Sequence, residues 1–507
     1  MGDCCAACFM ELTKRGTCER FKDVDPAAAR KIIENSFVDD ISLAGSKSEC
    51  VRFKGRMDPD TCLTDGTVSK ILGSGGFEVK AIAVSYEEDS LALEKLGNSV
   101  LGLGFSTVGD ILKVYFKVNI TPIKNGRTTG PDLTCSTLHE LNSAVITKRI
   151  CLRVTSSQYD PLGVAAPLVI MLKVYMRDLY TMGVDWDEPL TGEVRNTWIK
   201  LMQMLVLGHG IEFRRSTKPE GSVGNCTLIS YFDGSDSAFS IVIYARWHML
   251  DGTVSVNFVA AKAKLRPLYA TSTYRMEMNA ATLVSRVTMR VVLALLKDPP
   301  HQIFFLGDSE TVLASREKES GFFGEYFGNR IGEQFDNQEI IEKPSKVGHN
   351  GEWYHVSSLD NAADRATRLN STPEDLGLDS DWQRGPSYLR LPITEWPINR
   401  NFADRKRKIQ FPVEEVRRKH RNKLGLTDEL LLNIEVGALS TNLPGGPGSE
   451  MNTVVEHFGH GLLTNSWEKL ITTTSYLFRW ITKVRCDSNQ SIEAVSREMA
   501  IIFWLRV

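Results

Sequence analysis

The chain has no apolar run long enough to cross a bilayer, no internal repeat and almost no net charge. Its most apolar stretch, 164–175, is short and broken by Pro167 and Lys173, well under the ~20 residues a membrane helix needs, so no membrane partner is expected. The ten cysteines are scattered without a repeating spacing, which argues against a disulfide scaffold and for reduced thiols in the cytoplasm or nucleus. Cys4, Cys5, Cys8 and Cys18 include one Cys-x-x-Cys pair but no second pair at zinc-finger spacing, and a buried helix face is expected there. With 60 basic against 62 acidic residues, any nucleic-acid role must rest on local basic patches, not on bulk charge.

What is present is an ordinary globular composition, 42% hydrophobic and 24% charged over 507 residues, enough for about two to four domains with real cores. Residues 1–45 predict a helix through Ala27 and Ile33, then a strand, a tight Asp-Asp pair and a second strand. Alternation of Leu101, Leu103 and Phe105, then of Leu112, Val114, Phe116 and Val118, predicts antiparallel strands. The pattern over 138–207 is mostly helical, interrupted by the turn Tyr159-Asp160-Pro161-Leu162-Gly163. Between 225 and 368 the order becomes three strands (227–232, 238–247, 254–260), a long helix (276–297), a strand (302–306) and more helix, which predicts a mixed sheet covered by helices. Further on, 400–423 holds ten Lys or Arg against three acids and reads as a basic tether. A Pro-Gly-rich linker at 443–448 precedes two amphipathic helices expected over 466–482 and 492–505.

Four carboxylates stand out by position. Asp233 closes the first strand of this block, Glu277 opens its long helix, Asp308 follows its fourth strand, and Asp364 lies near the start of a later helix. Strand ends and helix starts at one sheet edge converge in space, and converging oxygen ligands suit two Mg²⁺ or Mn²⁺ ions. Singly, each acid has an ordinary explanation: an Asp-Gly turn, a dipole-favoured helix start, a helix cap.

The strings YFDGSDSA, AAKAKLRPL, YRMEMNAATL, LGDSETVL, NRIGE, YHVSSLDNAAD and DWQRGPSYL occur in the order seen in ribonuclease H domains of Pao/BEL retrotransposons, which this block resembles. The resemblance implies that Asp233, Glu277, Asp308 and Asp364 are metal ligands and that His355 assists proton transfer or product release. ENSFVDDISLAG resembles the reverse transcriptase turn carrying a palm carboxylate pair, here Asp39 and Asp40. VLGLGFS, SSQYDPLGVAAPL and VDWDEP resemble the segment that follows in such elements, often labelled a Pao retrotransposon peptidase. An aspartic peptidase of retroviral type needs Asp-Thr-Gly or Asp-Ser-Gly, and neither tripeptide occurs. NSWEKLITTTSYLFRWI resembles the lead-in to an integrase.

The expected fold is α/β, a ribonuclease H-like mixed sheet flanked by helices, preceded by a partial reverse transcriptase palm and connection and followed by a helical tail. The expected segments are 1–120 palm and thumb, 121–224 connection, 225–370 ribonuclease H-like, 371–450 tether and linker, and 451–507 integrase lead-in. The expected partner is an RNA–DNA hybrid, with Arg405, Lys406, Arg407 and Lys408 as phosphate contacts and other Pol or Gag products as further partners. The alternative is an inactive or host-adopted remnant that binds nucleic acid or protein without turnover. Because the first palm strand, with its own metal-binding Asp, has no counterpart here, Asp39 and Asp40 are expected to be vestigial. Primer extension on an RNA template should therefore give no incorporation; incorporation abolished by Asp39→Asn would overturn the segment assignment.

Overall fold

The computed structural model describes residues 6–420 apart from 38–39, 44, 59–62, 85–98, 101, 107–108, 122, 125–126, 129, 269–271, 296–297, 343–350, 400–410 and 418–419. Asp39, the basic tetrad 405–408 and both expected C-terminal helices lie outside the described residues.

Near the N-terminus α1 (Ala6–Arg20), α2 (Pro26–Glu34), α3 (Lys47–Lys54) and α4 (Thr67–Ser74) enclose a small core of Cys18, Ala28, Ile32, Phe53 and Ile71. Helix α2 starts where it does because the Asp25 carboxylate accepts the amides of Ala27 and Ala28, both at 3.1 Å, and Pro26 occupies the first helical position. The expected hairpin follows as β1 (Ser36–Phe37) and β2 (Asp40–Ile41), with Phe37 opposite Asp40.

A four-stranded antiparallel sheet is built from β3 (Ser99–Val100), β4 (Leu103–Ser106), β5 (Ile111–Val114) and, after a small ribbon of β6 (Ile123–Lys124) and β7 (Arg127–Thr128), β8 (Ile211–Arg214). The alternation expected as far as Val118 thus pairs only to Val114. The helical stretch resolves into α5 (Lys148–Ser157), α6 (Ala166–Thr181) and α7 (Gly192–Leu207).

The central sheet joins β9 (Ser222–Gly234), β10 (Ala238–Met249), β11 (Val254–Leu265), β12 (Gln302–Gly307) and β13 (Glu352–His355) in the order β11-β10-β9-β12-β13. The first three are antiparallel neighbours, while β12 runs parallel to both β9 and β13. This is the expected ribonuclease H-like mixed sheet flanked by helices. Residues 226–233 of β9 are all buried because both faces are covered, Thr227, Ser230 and Asp233 among the apolar side chains. Phe232 and Ile241 pack on one side with α8 (Thr273–Ala294) and α10 (Glu325–Glu342); between these two helices lies the short α9 (Glu310–Ser315). Tyr231, Val242 and Tyr244 face the other side and share one core with Leu168, Leu172, Trp198 and Met202 of α6 and α7. The helices before the sheet and the sheet itself therefore have a common interior.

Local contacts account for the motifs of the connecting segment. Asp160 accepts the amides of Gly163, Val164 and Ala165 at 2.8–3.0 Å, closing the start of α6; burial pushes its carboxyl up to about 6, against the pull of those three amides. Arg149 grips Asp187 with two bonds of 2.8 Å, and the Lys148 ammonium sits 3.9 Å from the Tyr180 ring centre.

The predicted tether is partly corrected. Residues 411–417 dock on the body: Val416 is 1% exposed and pairs with Phe323, and Glu415 is equally buried and ion-paired to Arg275. Apolar Phe411 packs on Phe322 and Phe323, so this part of the run buries surface in spite of its charged neighbours.

Gly163 has φ +79°, and a Cβ there would stand 1.8 Å from the Ala261 carbonyl oxygen, where Leu162 also accepts the Ala261 amide at 2.7 Å. Gly163→Ala should cost about 3 kcal/mol or more, because both the backbone conformation and the strand contact fail together. Urea denaturation checks this; a loss under ~1 kcal/mol would mean that α6 and the sheet are not tied at this point.

Candidate active site

The topology brings the four acids to one end of the central sheet. Asp233 is the penultimate residue of β9. Parallel pairing sets Leu306 opposite Tyr231, so Asp308, just beyond β12, stands level with Asp233. Glu277 lies in α8, and its approach depends on a glycine: a Cβ on Gly234 would stand 2.4 Å from the Glu277 amide nitrogen. Asp-Gly here is a helix-packing device, where the sequence suggested a turn. Asp364 sits in a 3₁₀ turn (Ala362–Ala366) fastened to β10 by the Ser240 hydroxyl, which donates to the Ala363 carbonyl at 2.6 Å.

The glycine before Asp308 has a packing reason: any Cβ on Gly307 would stand 2.3 Å from the Phe232 ring.

Each acid has an internal partner that was not singled out. The Thr367 hydroxyl donates to Asp233, and its oxygen is 3.4 Å from an Asp364 carboxylate oxygen. The Ser309 hydroxyl donates to Glu277 and that of Ser358 to Asp308. Asn361, 4% exposed, divides its amide between the Phe232 carbonyl at 3.0 Å and Asp308 at 3.3 Å, tying the ends of two strands together. Arg368 forms an ion pair with Asp364. Ser309, Ser358 and Asn361 sit within the matching strings, while Thr367 and Arg368 follow Asp364 by three and four residues, the spacing of neighbours on one helical face.

Asp233 is 8% exposed. Burial pushes its carboxyl up to about 7, with Asp308 and Asp364 adding repulsion and Thr367 opposing. Burial likewise lifts Glu277 to about 7, with Asp308 and Asp233 adding and Ser309 opposing. Asp233 thus feels the charges of Asp308 and Asp364, and Glu277 those of Asp308 and Asp233. The Arg368 guanidinium is held the more firmly protonated by its bond to Asp364 and by the charges of Asp364, Asp233 and Asp308. Among the described residues no three His, Cys, Asp or Glu side chains stand in position to hold a metal ion, each acid being turned onto a hydroxyl, an amide or Arg368. The donor set itself fits a hard divalent cation: four carboxylates, crowded and partly withdrawn from water, whose repulsion a cation would relieve.

His355 ends β13 opposite Gly307, the residue before Asp308, and its carbonyl accepts the Asn399 amide at 2.9 Å. Asp40 lies in the N-terminal hairpin.

Residues 147–309 match the family described as the Pao retrotransposon-like RNaseH-like domain. The match takes in α5 to α7, the central strands to β12, and Asp233, Glu277 and Asp308; Asp364 lies beyond it. A solved structure, the RNase H1 of the halophilic archaeon Halobacterium salinarum NRC-1, is similar at 16% identity over 28% of this chain and 93% of its own, with a TM-score of 0.18. No curated protein matches the sequence. No helix among the described residues is long and apolar enough to cross a membrane.

The raised carboxyls have a sign that can be tested. The folded chain keeps protons on Asp233 and Glu277 that the unfolded chain releases above about pH 4, so their contribution to stability is fullest below pH 4 and falls as the pH rises to about 7. Asp233→Asn should stabilise the chain at pH 8 by on the order of 2 kcal/mol and by little near pH 4. Melting temperatures at the two pH values decide; a variant less stable than wild type at pH 8 would mean that attraction, not burial, dominates at Asp233.

Proposed function

We propose that the chain cleaves the RNA strand of RNA–DNA hybrids by divalent-metal-dependent hydrolysis at Asp233, Glu277, Asp308 and Asp364. The observation that supports it is the convergence of four acids from four elements in a buried, mutually repelling group, on a region similar to a retrotransposon RNaseH-like domain. These four would hold two Mg²⁺ or Mn²⁺ ions. Such ions, when bound, supply an activated water and stabilise the leaving oxygen of a phosphodiester.

The chain's own residues have separate tasks in this reading. Thr367, Ser309, Ser358 and Asn361 satisfy the withdrawn carboxylates while no cation is bound, and the acids would turn from these donors onto a divalent ion when one enters. Arg368, with its side chain half-exposed beside Asp364, offers a guanidinium to a backbone phosphate. His355, in register with the residue before Asp308, is the candidate for moving a proton to or from the products. Selectivity for RNA would come from contacts to the 2′-hydroxyl.

A second reading, a remnant that binds nucleic acid without turnover, is favoured by the internal pairing of every acid, above all by Arg368 on Asp364. One experiment separates the two. The purified chain should cut the RNA of a hybrid with Mg²⁺ or Mn²⁺ and spare single-stranded RNA, and either metal should raise its melting temperature. Asp308→Asn should keep the fold and lower turnover by orders of magnitude. A wild-type chain that binds hybrid and leaves the RNA intact with both metals would establish the remnant.

A further inference from the structure

Three lysines gather at the outer edge of the central sheet. In β11 Ala261 and Ala263 turn into the core, and the alternation of the strand leaves Lys262 and Lys264 exposed on the opposite face. Lys173 lies on α6, which packs on the Ala261 and Ala263 face, and reaches the same sheet edge from that side: it and Lys262 repel each other, and Lys264 is repelled by Lys262, Arg286 and Lys173. Arg286 is bonded twice to Glu333, at 2.7 and 2.8 Å. Among the described residues none of the three lysines lies within ion-pairing distance of a carboxylate, and Asp160 attracts Lys173 only at longer range.

The register fixes where this cluster stands. Lys264 is opposite Phe239, and Phe239 is opposite Gly234, the residue after Asp233. Two strand spacings, roughly 10 Å, therefore separate the backbone at Lys264 from the strand end that carries Asp233. Like charges clustered in this way repel one another, and a line of phosphates removes that repulsion while releasing counterions.

We infer that Lys173, Lys262 and Lys264 form a track that binds the phosphate backbone of a nucleic-acid duplex along the edge strand, leading it toward the acid-bearing end of the sheet. The identification of the duplex as an RNA–DNA hybrid rests on the proposed function; the track itself does not. The competing explanation is that edge-strand lysines only discourage pairing with another chain.

The test uses the full chain carrying Asp308→Asn, so that bound hybrid survives, and follows a fluorescent RNA–DNA hybrid by anisotropy across a salt series. Lys262→Gln with Lys264→Gln, and the triple variant adding Lys173→Gln, should weaken binding by about tenfold or more at low salt. Each lysine that meets a phosphate should make the slope of log affinity against log salt shallower by up to ~0.9. Single Lys264→Gln gives the same direction with the least disturbance to the fold, and an unchanged melting temperature certifies it. Unchanged affinity and slope overturn the track, and self-association of the same variants on gel filtration would establish the edge-guard explanation in its place. If the wild-type chain never cuts RNA but the lysine variants still lose hybrid affinity, the proposed function fails and the track stands.

Discussion

The contact on which the site depends is the approach of α8 to the end of β9. It is possible only because residue 234 has no side chain, and it brings the Glu277 backbone against the strand that carries Asp233. Two carboxylates are thereby drawn out of water at the same place that parallel pairing delivers Asp308. Burial and mutual repulsion then act in one direction, lifting both Asp233 and Glu277 to about 7. The arrangement costs stability at neutral pH.

What keeps the group from flying apart is a set of small donors. Thr367, Ser309, Ser358 and Asn361 each give a hydrogen bond to one acid, and Arg368 contributes a full positive charge. Neutral donors moderate the repulsion without cancelling it, so the acids keep a standing demand for positive charge. Arg368 meets part of that demand from a position that water can also reach.

Much of the fold was legible from periodicity. The order of strands and the long helix between 225 and 306 follow from alternation and a 3.6-residue stripe, and the acids emerge from where those elements stop. What sequence could not display is distance. Gly234 looked like a turn and the packing reason for Gly307 did not show, because a close approach between elements remote in sequence leaves no local trace. Ser309 and Asn361 lay inside the matching strings but were passed over, since serine and asparagine are common in caps and turns. Glu415 was read as one acid in a basic run, and only folding reveals that it is buried against Arg275. The stretch Tyr159 to Gly163 was read as a turn, and its task of joining α6 to β11 depends on a partner about a hundred residues away.

The interior common to α6, α7 and the sheet is sewn further by the segment after the acids. The Trp382 indole donates to the Val164 carbonyl at 2.7 Å, and the Tyr244 hydroxyl donates to the Trp382 carbonyl at 2.8 Å. Three stretches far apart in sequence thus meet across one buried face. Transplanting the strands alone into another protein would leave Ile229, Tyr231 and Tyr244 facing water, an oily patch that invites aggregation. The unit that folds is therefore larger than the sheet that bears the acids and includes the helices that precede it.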